Sequence, residues 1–203
     1  MAGMSSEDRE AIEARIEGRL ELGELSEAAT EALRGYGAEI LGYVVSILRD
    51  ESAASDVFAD FCEDLWKGIP GFRRQCSFRT WAYKLAWNAA RMHWRDPFRR
   101  RVRRLATEEY KQVAECLLVS SLRRDPLVAD RVTRMRESLR PDDQTLLILR
   151  VDRGLSWKEI AEVLAETEVA PPDPAALRKR YERLKQCVAQ WAQREGLIAG
   201  RRR

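Results

Sequence analysis

Apolar residues recur in this chain at intervals of three and four, and strand-like alternation of β-branched residues is nearly absent. A chain patterned this way buries its apolar surface as helices packed on helices. Only 7 prolines and 11 glycines interrupt the 203 residues. The expected fold class is all-α, with two small helical domains joined by a linker, a division the length accommodates.

The stretch from Ser77 to Trp94, SFRTWAYKLAWNAARMHW, shows the pattern most fully. Phe78, Trp81, Ala82, Leu85, Ala89 and Met92 make an apolar stripe at helical spacing. Tyr83, Lys84, Trp87, Asn88, Arg91 and Trp94 are expected largely off that stripe, where they mix cations with aromatic rings. Ser77 is placed to cap the helix through its hydroxyl. Cations attract phosphates and rings stack on unpaired bases, so such a face suits single-stranded nucleic acid. The competing reading is an amphipathic helix whose extra aromatics pack against a neighbour.

Charge is segregated along the chain. Residues 1–66 hold 16 Asp and Glu against 5 Lys and Arg, whereas residues 67–203 hold 17 against 31. The split implies a basic partner for the front and a polyanion for the back. In the front, DVFADFCEDLW (Asp56 to Trp66) reads as a helix with Val57, Phe58, Phe61, Cys62 and Leu65 inward. Asp56, Asp60, Glu63 and Asp64 then fall on one acidic stripe, and like charges so spaced repel unless a basic partner meets them. The next segment, KGIPGFRRQC, is broken by Gly68, Pro70 and Gly71 and reads as a loop carrying Phe72, Arg73 and Arg74. Beyond Trp94, six arginines lie between Arg95 and Arg104, with Pro97 ending or kinking the helix.

Residues 1–24 are acidic and compatible with a helix or with partial disorder. From Ser26 a long helical stretch presents Leu33, Tyr36, Ile40, Leu41, Val44 and Leu48, and Gly35, Gly37 and Gly42 mark a break or a close helix crossing. A short turn near Asp50–Ser52 follows. Residues 105–129 read as a linker, and a second helical unit begins at Asp130. There Val132, Met135 and Leu139 pack, Pro141 takes a first helical position, and Leu146, Leu147, Leu149 and Val151 follow. Gly154 ends that helix, and Ser156 with Glu159 forms a capping box for the next. After the turn EVAPPDP, Asp173 and Pro174 open a last helix. It buries Leu177, Tyr181, Leu184, Val188 and Trp191 and shows Arg178, Lys179, Arg180, Arg183 and Lys185. Two short helices followed by a basic one describe a helix-turn-helix, which can enter the DNA major groove.

Cys62, Cys76, Cys116 and Cys187 form no CxxC pair, and His93 is the one histidine, so no metal site and no cofactor is expected. Reduced, mostly buried thiols fit a cytoplasmic protein. No stretch resembles a signal peptide or a membrane span, and no membrane partner is expected. Without a Gly-rich phosphate loop, a metal cluster or a histidine-based catalytic set, an enzyme finds little support.

Three stretches, in their order, resemble bacterial RNA polymerase sigma factors of the extracytoplasmic-function (ECF) type. DVFADFCEDLW looks like the family's clamp-gripping helix, SFRTWAYKLAWN is very close to its strand-opening segment, and LRPDDQTLLILRVDRGLSWKEIAEVLA resembles the first part of its promoter-reading helix-turn-helix. The resemblance implies a region 2 bundle over residues 25–104 and a region 4 helix-turn-helix over 130–196. An acidic extension (1–24), the 105–129 linker and a basic tail (197–203) complete the chain. The implied partners are core RNA polymerase, through its clamp coiled coil and flap, and promoter DNA. An anti-sigma factor is a further partner the family allows. Asp56 and Asp60, with Glu63 and Asp64 on the same stripe, match the polymerase contact. Phe72, Arg73, Ser77, Phe78 and Arg79 match the region that captures a flipped minus-10 base. Asn88 and Arg91 match positions near the upstream edge of the melted DNA, and Lys84 joins them as a minus-10 candidate on the polar face. Arg178, Lys179, Arg180 and Arg183 fall where the family meets the minus-35 element. The chain departs from the family at Ala59, where a glutamine is usual, at Trp94 and Pro97, and in a longer turn within the helix-turn-helix. A stand-alone helix-turn-helix regulator would explain the C-terminal unit but would leave the acidic stripe and the Ser77–Trp94 face idle.

Overall fold

The computed structural model describes residues 4–95, 138–165 and 170–194, and every regular element among them is helical. The described helices fall into two compact units, the first built from four helices. The arginines after Arg95, the linker, residues 130–137 of the helix expected from Asp130 through Leu139, Cys116 and the basic tail lie outside the described residues, and Leu139 itself lies in a bend rather than a helix.

Helix α1 (Ser6–Glu21) starts at a capping box. The Ser5 hydroxyl accepts from the Asp8 amide at 3.0 Å, and the Asp8 carboxylate accepts from the Ser5 amide at 3.3 Å. The acidic N-terminus is thus ordered, although it buries only Ile12 and Ile16. Its acidic side chains make lateral contacts instead, and Arg15 pairs with Glu31 of the next helix at 3.0 Å.

Helix α2 (Leu25–Leu48) runs unbroken through its three glycines and buries Ala28, Ala32, Tyr36, Ile40, Val44 and Ile47 along one side. Gly35 is a close crossing rather than a break. A Cβ there would lie 2.6 Å from Cγ2 of Ile12. The chain turns at Arg49, whose φ of 61° is left-handed, and Asp50 caps helix α3 (Glu51–Gly68) by accepting from the Ala53 amide at 3.0 Å. The expected turn at Asp50–Ser52 therefore sits slightly earlier, and α3 begins more than a turn before Asp56. Its core face is the expected one, with Val57, Phe58, Phe61, Cys62 and Leu65 all buried.

A single 3-10 turn (Ile69–Gly71) and an irregular stretch lead into helix α4 (Phe78–Arg95). Gly68 is needed where it stands, because a Cβ would lie 2.9 Å from the Trp81 ring. Helix α4 packs on α3 along one side and on α2 along the other, with its start against α1. Its buried arc is consequently wider than a single stripe.

The second unit contains α5 (Pro141–Leu147), a π turn (Ile148–Asp152), α6 (Trp157–Leu164) as far as Ala161, and α7 (Pro174–Arg194). Pro141 occupies the first helical position. Gly154 has φ of 68°, a left-handed value that suits glycine after a helix. Ser156 and Glu159 form the expected capping box at 3.2 and 2.7 Å. Asp173 accepts from the Ala175 amide at 3.0 Å. Leu146, Ile148, Leu149, Leu155, Ile160, Leu177 and Leu184 make the core. Val151, within the π turn, is 56% exposed, unlike Leu146, Leu147 and Leu149. Tyr181, Val188 and Trp191 are only half-buried, so α7 is more exposed than its apolar spacing predicts.

Candidate nucleic-acid interface

Helix α4 sorts its side chains differently from the simple stripe. Phe78, Ala82 and Ala89 are buried as expected. Tyr83 and Trp87, expected on the exposed face, are also buried, at 0% and 2% exposure. Leu85 is half-buried, and Met92, expected in the core, is 40% exposed. The core arc is centred on Tyr83, Ala86, Trp87 and Ala90 because two helices flank α4. Tyr83 meets Tyr43 edge-on at 5.3 Å, and Trp87 meets Trp94 at 5.8 Å. Lys84, Asn88 and Arg91 remain partly exposed. Their spacing of four and three residues keeps them on one side.

Three of the expected DNA-contacting residues also make contacts within the bundle. Arg79 is only 7% exposed. Its Nε donates to Glu39 Oε1 at 3.2 Å, Nη2 donates to the same oxygen, and the guanidinium lies 5.5 Å from the Tyr83 ring. Burial works to lower the Arg79 pKa, but the hydrogen bond and charge of Glu39 outweigh it and raise the value. Tyr83 also donates its hydroxyl to Glu39 Oε1 at 2.7 Å. Phe78 is buried at 2% exposure. Ser77 accepts from the Thr80 amide at 3.1 Å, the cap that its position predicts.

The segment before α4 carries the accessible chemistry. Phe72 is half-buried in an aromatic trio, 5.2 Å from Phe78 and 5.0 Å from Trp81, while Phe78 and Trp81 stand 5.1 Å apart. Arg73 is exposed. Arg74 has a left-handed backbone, φ 56°, and reaches Glu17 and Glu21 of α1 at 3.6 and 3.5 Å. A cavity of about 160 Å³ opens between α1 and this segment, lined by Glu13, Phe72, Arg74, Ser77 and Phe78 among others.

On α3, Asp56, Asp60, Glu63 and Asp64 are all half-buried, opposite the apolar face. Glu63 pairs with Lys67 one turn on. Trp66, beside the stripe, is 50% exposed. Ala59, at the position where the family usually has glutamine, is fully buried.

On α7, Arg178, Lys179 and Arg183 are exposed. Arg180 is partly withdrawn, since its Nε donates to Asp143 at 2.7 Å and its guanidinium also lies 3.7 Å from Asp142. Trp157 is flanked by Arg150 at 4.7 Å, Arg178 at 6.0 Å and Tyr181 at 5.4 Å.

The sequence pattern missed Glu13. Its carboxylate accepts from the amides of Phe78 and Arg79 at 2.8 and 2.9 Å, and from the Tyr36 hydroxyl at 2.8 Å. No local motif announces a cap supplied from 65 residues away. The burial of Tyr83 and Trp87 did leave a trace, because Thr80, Tyr83, Trp87 and Ala90 are themselves spaced at helical intervals.

Among the described residues, no group of His, Cys, Asp or Glu could hold a metal ion, and no helix is long and apolar enough to cross a membrane. A helical bundle with a cationic, aromatic-edged face, and a second unit with a basic helix after two short ones, suit a protein that binds nucleic acid. Residues 33–101 match the family Sigma-70 region 2. RNA polymerase sigma factor YlaC of Bacillus subtilis is 31% identical over 137 residues, covering 64% of this chain and 76% of YlaC. RNA polymerase sigma-H factor of Pseudomonas aeruginosa is 29% identical over 137 residues, covering 64% of this chain and 70% of that protein. The chain belongs to the RNA polymerase sigma factors, of the ECF type, and directs transcription initiation.

Proposed function

We propose a division of labour among three surfaces of this sigma factor. The acidic side of α3, with Asp56, Asp60, Glu63 and Asp64, meets the clamp coiled coil of core RNA polymerase. Trp66 supports that reading, since an exposed tryptophan beside a charged stripe suits a surface that a partner covers. The loop with Phe72 and Arg73, together with Lys84, Asn88 and Arg91 of α4, captures the minus-10 element as single strand. Phe78 and Arg79 hold that geometry from within, and Ser77 caps the helix at the surface. Arg178, Lys179 and Arg183 on α7 meet the minus-35 element, with Arg180 held back by Asp143. The protein carries out no chemistry of its own, since the polymerase makes the transcript, and it works in the cytoplasm.

The observation that carries this reading is the aromatic trio set against the cationic side of α4. Unstacking a base step costs on the order of a few kcal/mol. Stacking a base on an aromatic ring returns roughly 1–3 kcal/mol. Arginine and lysine contacts to phosphate add affinity that falls with salt. Two substitutions separate the surfaces. Asp56→Arg should weaken capture of core polymerase in a pull-down while far-UV circular dichroism stays unchanged. Phe72→Ala with Asn88→Ala should keep polymerase binding and lose permanganate reactivity of minus-10 thymines. Wild-type reactivity in that double variant would contradict the minus-10 assignment.

A further inference from the structure

Helix α1 lies wholly before residue 33, where the match to the region 2 family begins. It nevertheless supplies the cap of α4. The first turn of a helix leaves backbone amides without partners inside the helix. In α4 the first two, of Phe78 and Arg79, donate to Glu13, and the third, of Thr80, donates to Ser77. A carboxylate there also meets the positive end of the helix dipole. Glu13 is itself fixed by the Tyr36 hydroxyl at 2.8 Å. Two turns of α1 further on lies Glu21, which with Glu17 holds Arg74 in the same loop. One residue held by Glu13 is Phe78, whose ring stands against Phe72 and Trp81. The carboxylate therefore fixes where the loop joins the helix.

We propose that Glu13 is a positioning residue for promoter opening: it does not touch DNA, but it sets the Phe72 loop and the start of α4 in the geometry that receives an unpaired base. This rests on the minus-10 reading of that segment. With Glu13 removed, the two amides compete for water, the loop samples other arrangements, and each base captured must also order the loop. A capture site loses affinity in proportion to the fraction of time it is correctly arranged.

The test uses full-length protein with core polymerase and a duplex promoter, followed by permanganate reactivity and by direct titration of polymerase. Glu13→Ala should reduce open-complex formation about tenfold while polymerase affinity stays within about twofold. Glu13→Gln, whose amide oxygen still accepts one bond, should recover part of the loss. Ile40→Ala serves as a control, because it weakens the same bundle from its core and its aliphatic side chain makes no hydrogen bond to the loop. It should open the promoter normally at temperatures where it remains folded. Normal opening by Glu13→Ala overturns the proposal, and so does an equal opening defect in Ile40→Ala. The Phe72→Ala, Asn88→Ala variant separates the two levels. If it is defective while Glu13→Ala is normal, only the positioning role fails. If it too opens normally, the minus-10 reading fails and takes the positioning role with it.

Discussion

Arg79 and Glu39 form an ion pair between α4 and α2, with side-chain exposures of 9% and 12%. Tyr83 shares the same carboxylate oxygen of Glu39. The cation that resemblance places on DNA is thus committed to holding two helices together. Removing one partner takes the main counter-charge from a buried group, which costs roughly 3–5 kcal/mol. Glu39→Ala and Arg79→Ala should each lower unfolding stability by about that amount in urea titration. The double substitution Glu39→Ala with Arg79→Ala should cost less than the two single changes added together. Full additivity would show that the pair is not coupled.

Glycines in the first bundle should separate by contact. Gly18 is in the last turn of α1, and a Cβ there would meet nothing within 4 Å, so Gly18→Ala should stabilise by about 0.5–1 kcal/mol. At Gly35 the Cβ would press on Ile12 Cγ2, an atom too near its backbone to swing away. Gly35→Ala should therefore destabilise by roughly 1–3 kcal/mol despite its better helix propensity. Thermal melts of the two variants should move in opposite directions, and a shift of the same sign in both would refute the close crossing.

Alkaline pH should weaken the same bundle. Burial pushes the Cys62 thiol up to about 12 from 9.0. Burial, followed by the bond to Glu13, raises the Tyr36 phenol above its ordinary value of 10.0. Below those ordinary values both states keep their protons and the stabilisation is complete. Above them the unfolded chain releases protons that the folded chain retains, so stability falls as pH rises, by at most about 1.4 kcal/mol per unit per group. The loss begins near pH 9 through Cys62 and continues as pH passes through the folded value near 12. Urea midpoints at pH 8 and pH 10.5 should differ, and the difference should shrink in Cys62→Ala and in Tyr36→Phe. Identical midpoints would contradict both shifts.

The cations of α7 should divide into two kinds. Arg180 is 29% exposed and bonded to Asp143. Arg180→Ala should cost roughly 1–3 kcal/mol of stability, as for other hydrogen bonds to charged groups. Arg183 is exposed, so Arg183→Ala should leave stability nearly unchanged. In fluorescence titrations with minus-35 duplex, Arg183→Ala should reduce the salt dependence of binding by about one ion, and Arg180→Ala should not. An equal reduction in both would put Arg180 on the DNA.

What the sequence made legible is what short-range chemistry decides. Ser156 and Glu159 box a helix start, Asp173 and Pro174 open another, and Gly154 closes one, each within a few residues. The core of α3 followed directly from spacing, because one side of that helix carries its large apolar residues. Helix α4 did not yield as readily. Its neighbours cover two sides, so Tyr83 and Trp87 were absorbed by packing that a single-stripe reading cannot see. Arg180 meets Asp143 from 37 residues away, and Glu13 meets Phe78 from 65. Only the folded arrangement of helices brings those groups together. Long-range pairing of this kind decided which expected site residues face outward and which support them.

Run-off transcription with purified core polymerase tests the central claim most directly. On a promoter selected by this protein, the wild-type chain should direct one discrete transcript that core polymerase alone does not make. The Phe72→Ala, Asn88→Ala variant should bind polymerase and yield little of that transcript. No transcript with the wild-type chain, despite formation of a complex with core polymerase on its selected promoter, would contradict the account.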